Sequence, residues 1–148
     1  MDERRIAMVE LTESSIDTNS LVQGSIHADC GAVVLFLGTT RRWTGTLETT
    51  QLEYEAYRAM ALAEMQSLEQ IARSRWPLKE VQIVHRLGQV PIGEISVAIA
   101  VSSPHRREAF EAGQWLIDTL KHTVPIWKKE TWKDKGISWV HPNQEELQ

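Results

Sequence analysis

Five of the chain's six lysines, Lys121, Lys128, Lys129, Lys133 and Lys135, lie in one stretch, TLKHTVPIWKKETWKDKG, residues 119–136, although the formal net charge is -4. Cations crowded into one place on an acidic chain call for an anionic partner. In the extended run IWKKETW, alternation puts Lys128 and Glu130 on one face with Ile126 and Trp132, and Trp127 and Lys129 on the other. Lys128 then has a carboxylate neighbour and bulky apolar company. A lysine partly shielded from water in this way passes a proton more readily, and holds an anion more tightly, than a solvated one. Lys121 closes a predicted helix, where the dipole favours a cation whatever else it does. Lys133 and Lys135 flank a predicted turn and read as solubilising charges.

Two further basic segments have chemical potential. In FLGTTRRWTG, Gly38 permits close backbone approach at a strand end, Thr39 and Thr40 supply hydroxyls, and Arg41 supplies a planar donor suited to phosphate or carboxylate. The alternative is a polar turn with solvated arginines. In SSPHRREAF, Ser103 suits a helix N-cap and Pro104 the first helical position, yet His105, Arg106 and Arg107 follow where acidic residues are usual. Free backbone N–H groups beside basic side chains make an anion site. Arg106 and Arg107 are otherwise solvated charges offset by Glu108 and Glu111.

The elements that must position these residues follow from hydrophobic periodicity. Strands are predicted at IAMVEL, GAVVLFLG, TQLEYEA, EVQIVHRL, EISVAIAV and IWKKETW, with ISWV closing a hairpin through KDKG. Two helices are clear. One covers about Ala59 to Arg75, with Leu62, Met65, Leu68 and Ile71/Ala72 at helical spacing and a stop at WP. The other runs from about Pro104 to His122 with an inner stripe of Phe110, Gly113, Ile117 and Leu120. A shorter helix is predicted near Asp17 to His27. The mixed order, with strands close enough for hairpins, points to an α+β fold with a largely antiparallel or mixed sheet.

Whole-chain properties narrow the function classes. A length of 148 residues, 42% hydrophobic and 24% charged, suits a single domain spanning 1–148. Acidic net charge argues against a general nucleic-acid or anionic-membrane binder, since the positive charge is local. No apolar run approaches membrane-spanning length and MDERRIAMVELTES lacks a signal-peptide core, so the expected compartment is the cytoplasm. Cys30 is the only cysteine, which excludes an internal disulfide or a cysteine-based metal site; it reads as a small buried residue beside Gly31. His27, His85, His122 and His141 lack metal-ligand spacing and read as structural or exposed.

Five ordered blocks, GAVVLFLGTTR, LEYEAY, RWPLKEVQIVHRLGQVPIGE, VSSPHRREAFEAGQWLIDTLK and VPIWKKE, together resemble the catalytic (large) subunit of molybdopterin synthase, the MoaE family. The resemblance covers roughly Val9 to His141. It implies an α/β-hammerhead fold with an additional antiparallel β portion, and a sulfurtransferase acting in molybdenum cofactor biosynthesis. Sulfur would pass from the thiocarboxylated C-terminus of a small ubiquitin-like subunit of the MoaD type to precursor Z, a cyclic pyranopterin monophosphate. The implied assembly is a homodimer within a 2:2 heterotetramer, with no metal or organic cofactor. By position, the resemblance makes Lys121 and Lys128 catalytic and puts Thr39, Thr40, Arg41, His105, Arg106, Lys129 and Glu130 with them in substrate binding.

Two departures mark this chain. Ile126 stands where an aromatic residue is frequent, and the sequence closes with SWVHPNQEELQ, where many relatives continue with a basic helical tail. Other readings of the same residues are a non-catalytic module binding a ubiquitin-like tail through Trp127 and Trp132, and a binder of a phosphorylated ligand or single-stranded nucleic acid.

Overall fold

A strand whose side chains are apolar on both faces needs cover on both. Strand β7 (Ile95–Ser103) is buried at every position after its first, and the fold is arranged around it. The computed structural model of the chain describes residues 9–141. In the first sheet, β7 lies between β5 (Glu80–Arg86) and β2 (Ala32–Thr39), with β1 (Val9–Thr12) beyond β5. The β1–β5 pair is parallel and the other two are antiparallel.

One face of this sheet is covered by α2 (Arg58–Arg75) and α3 (Arg106–Thr123), whose Met65, Leu68, Leu116 and Leu120 join Val81, Ile83, Val97, Ile99 and Val101 in the main core. The opposite face is covered by α1 (Thr18–Ser25), where Leu21 meets Val84, Ala98 and Ala100. The Asp17 carboxylate caps α1 by accepting from Ser20 N at 3.1 Å. The predicted strand IAMVEL begins outside the described residues; the described part starts at Val9.

Helix α3 corrects two details of the sequence reading. Its inner stripe is Ala109, Ala112, Gly113, Leu116, Ile117 and Leu120, and Phe110 is 64% exposed. Small residues at 109, 112 and 113 let the helix approach the sheet, and Phe110 lies about 100° round the helix from Ala109. The helix also starts at Arg106, with His105 in the N-cap position but making no side-chain cap bond. Ser103 cannot serve as the cap because it remains in β7, its hydroxyl donating to Pro77 O at 2.9 Å. A third expectation changes as well: Cys30 is only half-buried.

The second sheet is antiparallel. Strand β4 (Leu47–Ala56) pairs with β8 (Ile126–Trp132), which forms the expected hairpin with β9 (Gly136–Val140). Gly136, at φ 75°, takes the left-handed backbone at the hairpin's end. Two short strands, β3 (Trp43–Thr44) and β6 (Gly88–Gln89), pair with opposite ends of β4. The architecture is therefore α+β, a helix-covered mixed sheet with an additional antiparallel portion. Among the described residues no helix is long and apolar enough to cross a membrane.

The β2–β7 register shifts at its end, where Gly38 pairs with Val97 and Thr39 with Ile95, leaving Ser96 as the extra residue on β7. Gly38 sits opposite Val97, and a β-carbon there would lie 2.6 Å from Val97 Cγ1. Val97 is buried and stiff about χ1. Gly38→Ala should therefore lower stability by about 1–3 kcal/mol, the usual cost of overpacking, as read by urea unfolding. An unchanged midpoint would show that β2 yields at this point.

Candidate active site

The two sheets and the C-terminal end of α3 enclose a cavity of about 260 Å³. From the first sheet and the loop after β2 come Phe36, Gly38, Thr39, Thr40, Arg41, His85, Ser96 and Val97. Helix α3 contributes Ile117, Leu120 and Lys121, while the second sheet supplies Thr44, Leu52, Tyr54, Lys128 and Glu130. Three cations from three separate elements thus line one space. Lys121 stands in the last turn of α3, where the helix dipole favours its charge.

Lys128 and Glu130 form the polar centre of the second sheet's inner face. Ile126, Lys128 and Glu130 are buried and Trp127 is exposed, as strand alternation requires. Lys128 Nζ lies 3.4 Å from Glu130 Oε1, with side-chain exposures of 9% and 5%. The other carboxylate oxygen accepts a hydrogen bond from the buried Thr49 hydroxyl. A bulge in β4 makes that contact possible. Leu52 and Tyr54 face inward across from Glu130 and Lys128, and an uninterrupted strand would next turn Thr50 inward; the shift between Thr49 and Gln51 buries Thr49 instead.

His85 was missed by the sequence reading as a site residue. It is 4% exposed, lines the cavity from β5, and packs edge-on against Tyr54 with ring centroids 5.1 Å apart. Nδ1–H donates to the Arg86 carbonyl at 2.9 Å. Burial pushes its pKa down to about 4, against the opposing effect of that hydrogen bond. The ring is therefore neutral at neutral pH. A lone histidine in an apolar strand gives no sequence signal of this kind, because the cavity wall forms only when β4 folds over β5.

The remaining predicted residues are distributed unevenly. Thr39, Arg41, Lys121, Lys128 and Glu130 converge on the cavity. Thr40 lines it too, but its hydroxyl is already committed, donating to Pro91 O and accepting from Gly93 N, each at 2.8 Å. Lys129 is not among the lining residues; it points to the outer face of β8, its Nζ 5.7 Å from the Trp139 ring centroid. His105 and Arg106 are exposed at the opposite end of α3 from Lys121, about 24 Å away at the helical rise. Within one chain they do not reach the cavity. Among the described residues no group of three or more His, Cys, Asp or Glu is placed to hold a metal ion.

Fold and site together define a two-sheet α+β protein with a cation-lined cavity between the sheets. Residues 11–123 match the family described as MoaE protein, and the chain belongs to that family. It is similar to the molybdopterin synthase catalytic subunit of Bacillus subtilis, 41% identical over 131 residues, covering 88% of this chain and 83% of the relative. The subunit of the same name from Culex quinquefasciatus is 46% identical over 139 residues, covering 93% and 88%. A crystal structure of molybdopterin synthase from Staphylococcus aureus matches with a TM-score of 0.86 at 41% identity, covering 91% of this chain and 98% of that one.

The buried pair and His85 each generate a stability prediction. Glu130→Ala removes the carboxylate partner of a buried ammonium and should lower stability by about 3–5 kcal/mol, whereas the double variant Lys128→Met/Glu130→Leu should lose far less. Equal losses in urea unfolding would mean that the pair is not a coupled unit. For His85 the folded pKa lies below the unfolded value of about 6.5, so its contribution is fully present above that pH and is lost as pH falls toward about 4. The contribution is about 3 kcal/mol at its largest. His85→Phe should flatten the stability profile between those limits, measured by unfolding at a series of pH values.

Proposed function

We propose that this chain, acting as one domain in the cytoplasm, is the catalytic subunit of a molybdopterin synthase. It transfers sulfur from the thiocarboxylated terminal glycine of a small ubiquitin-like subunit to precursor Z, forming the dithiolene of molybdopterin. The observation that carries this reading is the convergence of Arg41, Lys121 and Lys128 on one cavity in a member of the MoaE family. Arg41 suits the substrate phosphate, as a planar multidentate donor. Lys121 and Lys128 suit the charge that develops on oxygen when the thiocarboxylate carbon becomes tetrahedral. In each transfer a carbon–sulfur bond forms at a side-chain carbon of the pterin as a carbon–oxygen bond at that carbon breaks, the oxygen departing on the phosphate or as water, and the carbon–sulfur bond to the glycine breaks. Water adds to the glycine carbonyl carbon, leaving a carboxylate on the small subunit and a thiolate on the product. Two such donations complete the dithiolene.

The same reading makes the chain a homodimer, with one small subunit bound to each copy. The supporting feature is the edge of the first sheet. Strand β2 is eight residues without a charge, no described strand pairs with its outer edge, and Val33 and Leu37 are each 36% exposed. Such an edge favours pairing with another chain. Residues 104–106 lie beside the start of β2, where Gly31 N donates to Pro104 O at 3.2 Å, and Arg41 follows its end. Antiparallel pairing of β2 with its copy about a two-fold axis would bring the start of one strand beside the end of the other. His105 and Arg106 of one copy would then approach the cavity of its partner, which reconciles their expected role with their distance from Lys121.

Purified chain, thiocarboxylated small subunit and precursor Z should yield molybdopterin when mixed; no product would refute the reading. Lys128→Ala should cut turnover by about a hundredfold or more, the scale for one preorganised electrostatic donor. Arg106→Ala chains and Lys128→Ala chains, each inactive alone, should recover about a quarter of wild-type activity on random exchange, since half the dimers would hold one intact site. Absence of recovery would refute the shared site.

A further inference from the structure

We infer that His85 is the residue through which the cavity recognises an N–H or O–H donor on its ligand, presenting Nε2 as a neutral acceptor in a site otherwise dominated by donors. The inference rests on the proposed function for the identity of that ligand: the amide and amino edge of a phosphorylated pterin.

The polar groups of the cavity lead to this assignment one by one. Arg41, Lys121 and Lys128 carry only donors. Glu130, the one carboxylate among the described residues that line the space, is engaged through one oxygen by Lys128 and through the other by Thr49. The Thr40 hydroxyl is used in both directions; Ser96 donates its hydroxyl proton to Gly38 O at 3.3 Å and keeps acceptor lone pairs, and the Thr39, Thr44 and Tyr54 hydroxyls, which also line the space, can turn to donate or accept, so none of these is an acceptor of fixed sense. His85 differs. Because Nδ1–H is given to the Arg86 carbonyl, the neutral ring must carry its lone pair on Nε2, the nitrogen that can address the cavity.

The surroundings keep that lone pair available. Charged groups facing the same space are Arg41 from the loop after β2, Lys121 from α3, and Lys128 with Glu130 from β8; Tyr54 from β4 packs on the ring. Burial of the imidazole opposes a positive charge on the ring, against the effect of its hydrogen bond to Arg86. Cations alone would hold many anions of suitable size. A fixed acceptor adds a test that only a ligand with a matching donor passes, since an analogue lacking it leaves a desolvated nitrogen unpaired.

The test measures binding directly, by anaerobic calorimetry with precursor Z and, separately, with glycerol phosphate as a phosphate ester lacking the heterocycle. His85→Phe should weaken precursor Z by about tenfold to a hundredfold while leaving glycerol phosphate unchanged. His85→Gln, which keeps an acceptor, should recover most of the loss. In the wild-type protein, nitrogen-15 NMR of the imidazole should show a neutral ring protonated at Nδ1, with the Nε2 resonance moving when precursor Z is added; this arm needs no variant to fold. Equal affinity of wild type and His85→Phe for precursor Z, including no binding by either, overturns the assignment. So does an Nε2 resonance indifferent to the ligand. A wild type that binds precursor Z through His85 but transfers no sulfur supports the acceptor role and refutes the sulfurtransferase. One that transfers sulfur equally well with phenylalanine at 85, at unchanged affinity, refutes only the acceptor role.

Discussion

The site depends on keeping an ammonium and a carboxylate out of water between two sheets. Desolvating the Lys128–Glu130 pair is favourable only if nearly every remaining polar valence is met. The Thr49 hydroxyl meets one of them, and it does so only because β4 carries a bulge at that level. Pairing of β4 with β8, burial of the pair and closure of the cavity wall are therefore one requirement. A slip of one residue would turn Lys128 outward and Trp127 inward.

Helix α3 acts as a rigid spacer between two basic ends. Its small inner residues press it against β2 and β7, which fixes Lys121 at the cavity and His105 with Arg106 at the far edge of the same sheet. Close packing leaves no freedom for one end to bend toward the other. Geometry of this kind separates residues that a linear motif groups together, and symmetry is the economical way to reunite them.

What was legible in the sequence was whatever depends on local period. Alternation through IWKKETW identified the buried face of β8 correctly, and the KDKG turn identified its hairpin. The helix at 106–123 was legible in extent and, through Gly113, Ile117 and Leu120, in phase; Phe110 alone was misplaced, because it outweighs its alanine neighbours in hydrophobicity although the tight packing favours the small ones. Strands β3 and β6 have two residues each, too few to show a period. His85 was illegible for a different reason: its environment comes from β4 and Tyr54, about thirty residues away, and only tertiary structure brings them together. Arg41 was legible as chemistry, and only the fold brings it to one cavity with Lys121 and Lys128.

The Thr40 hydroxyl touches the 91–93 turn from both sides, giving its proton to Pro91 O and receiving one from Gly93 N. Mechanically this is a rivet at the root of Arg41. A long guanidinium side chain carries about 2 kcal/mol of rotamer entropy, and a swinging backbone beneath it would add more. With the root pinned, only the side chain's own torsions remain to be frozen when an anion arrives. Thr40 thus sets the entropy of recognition while its neighbour supplies the charge, so the tightness of the site is controlled partly by a hydroxyl whose own bonds are all internal.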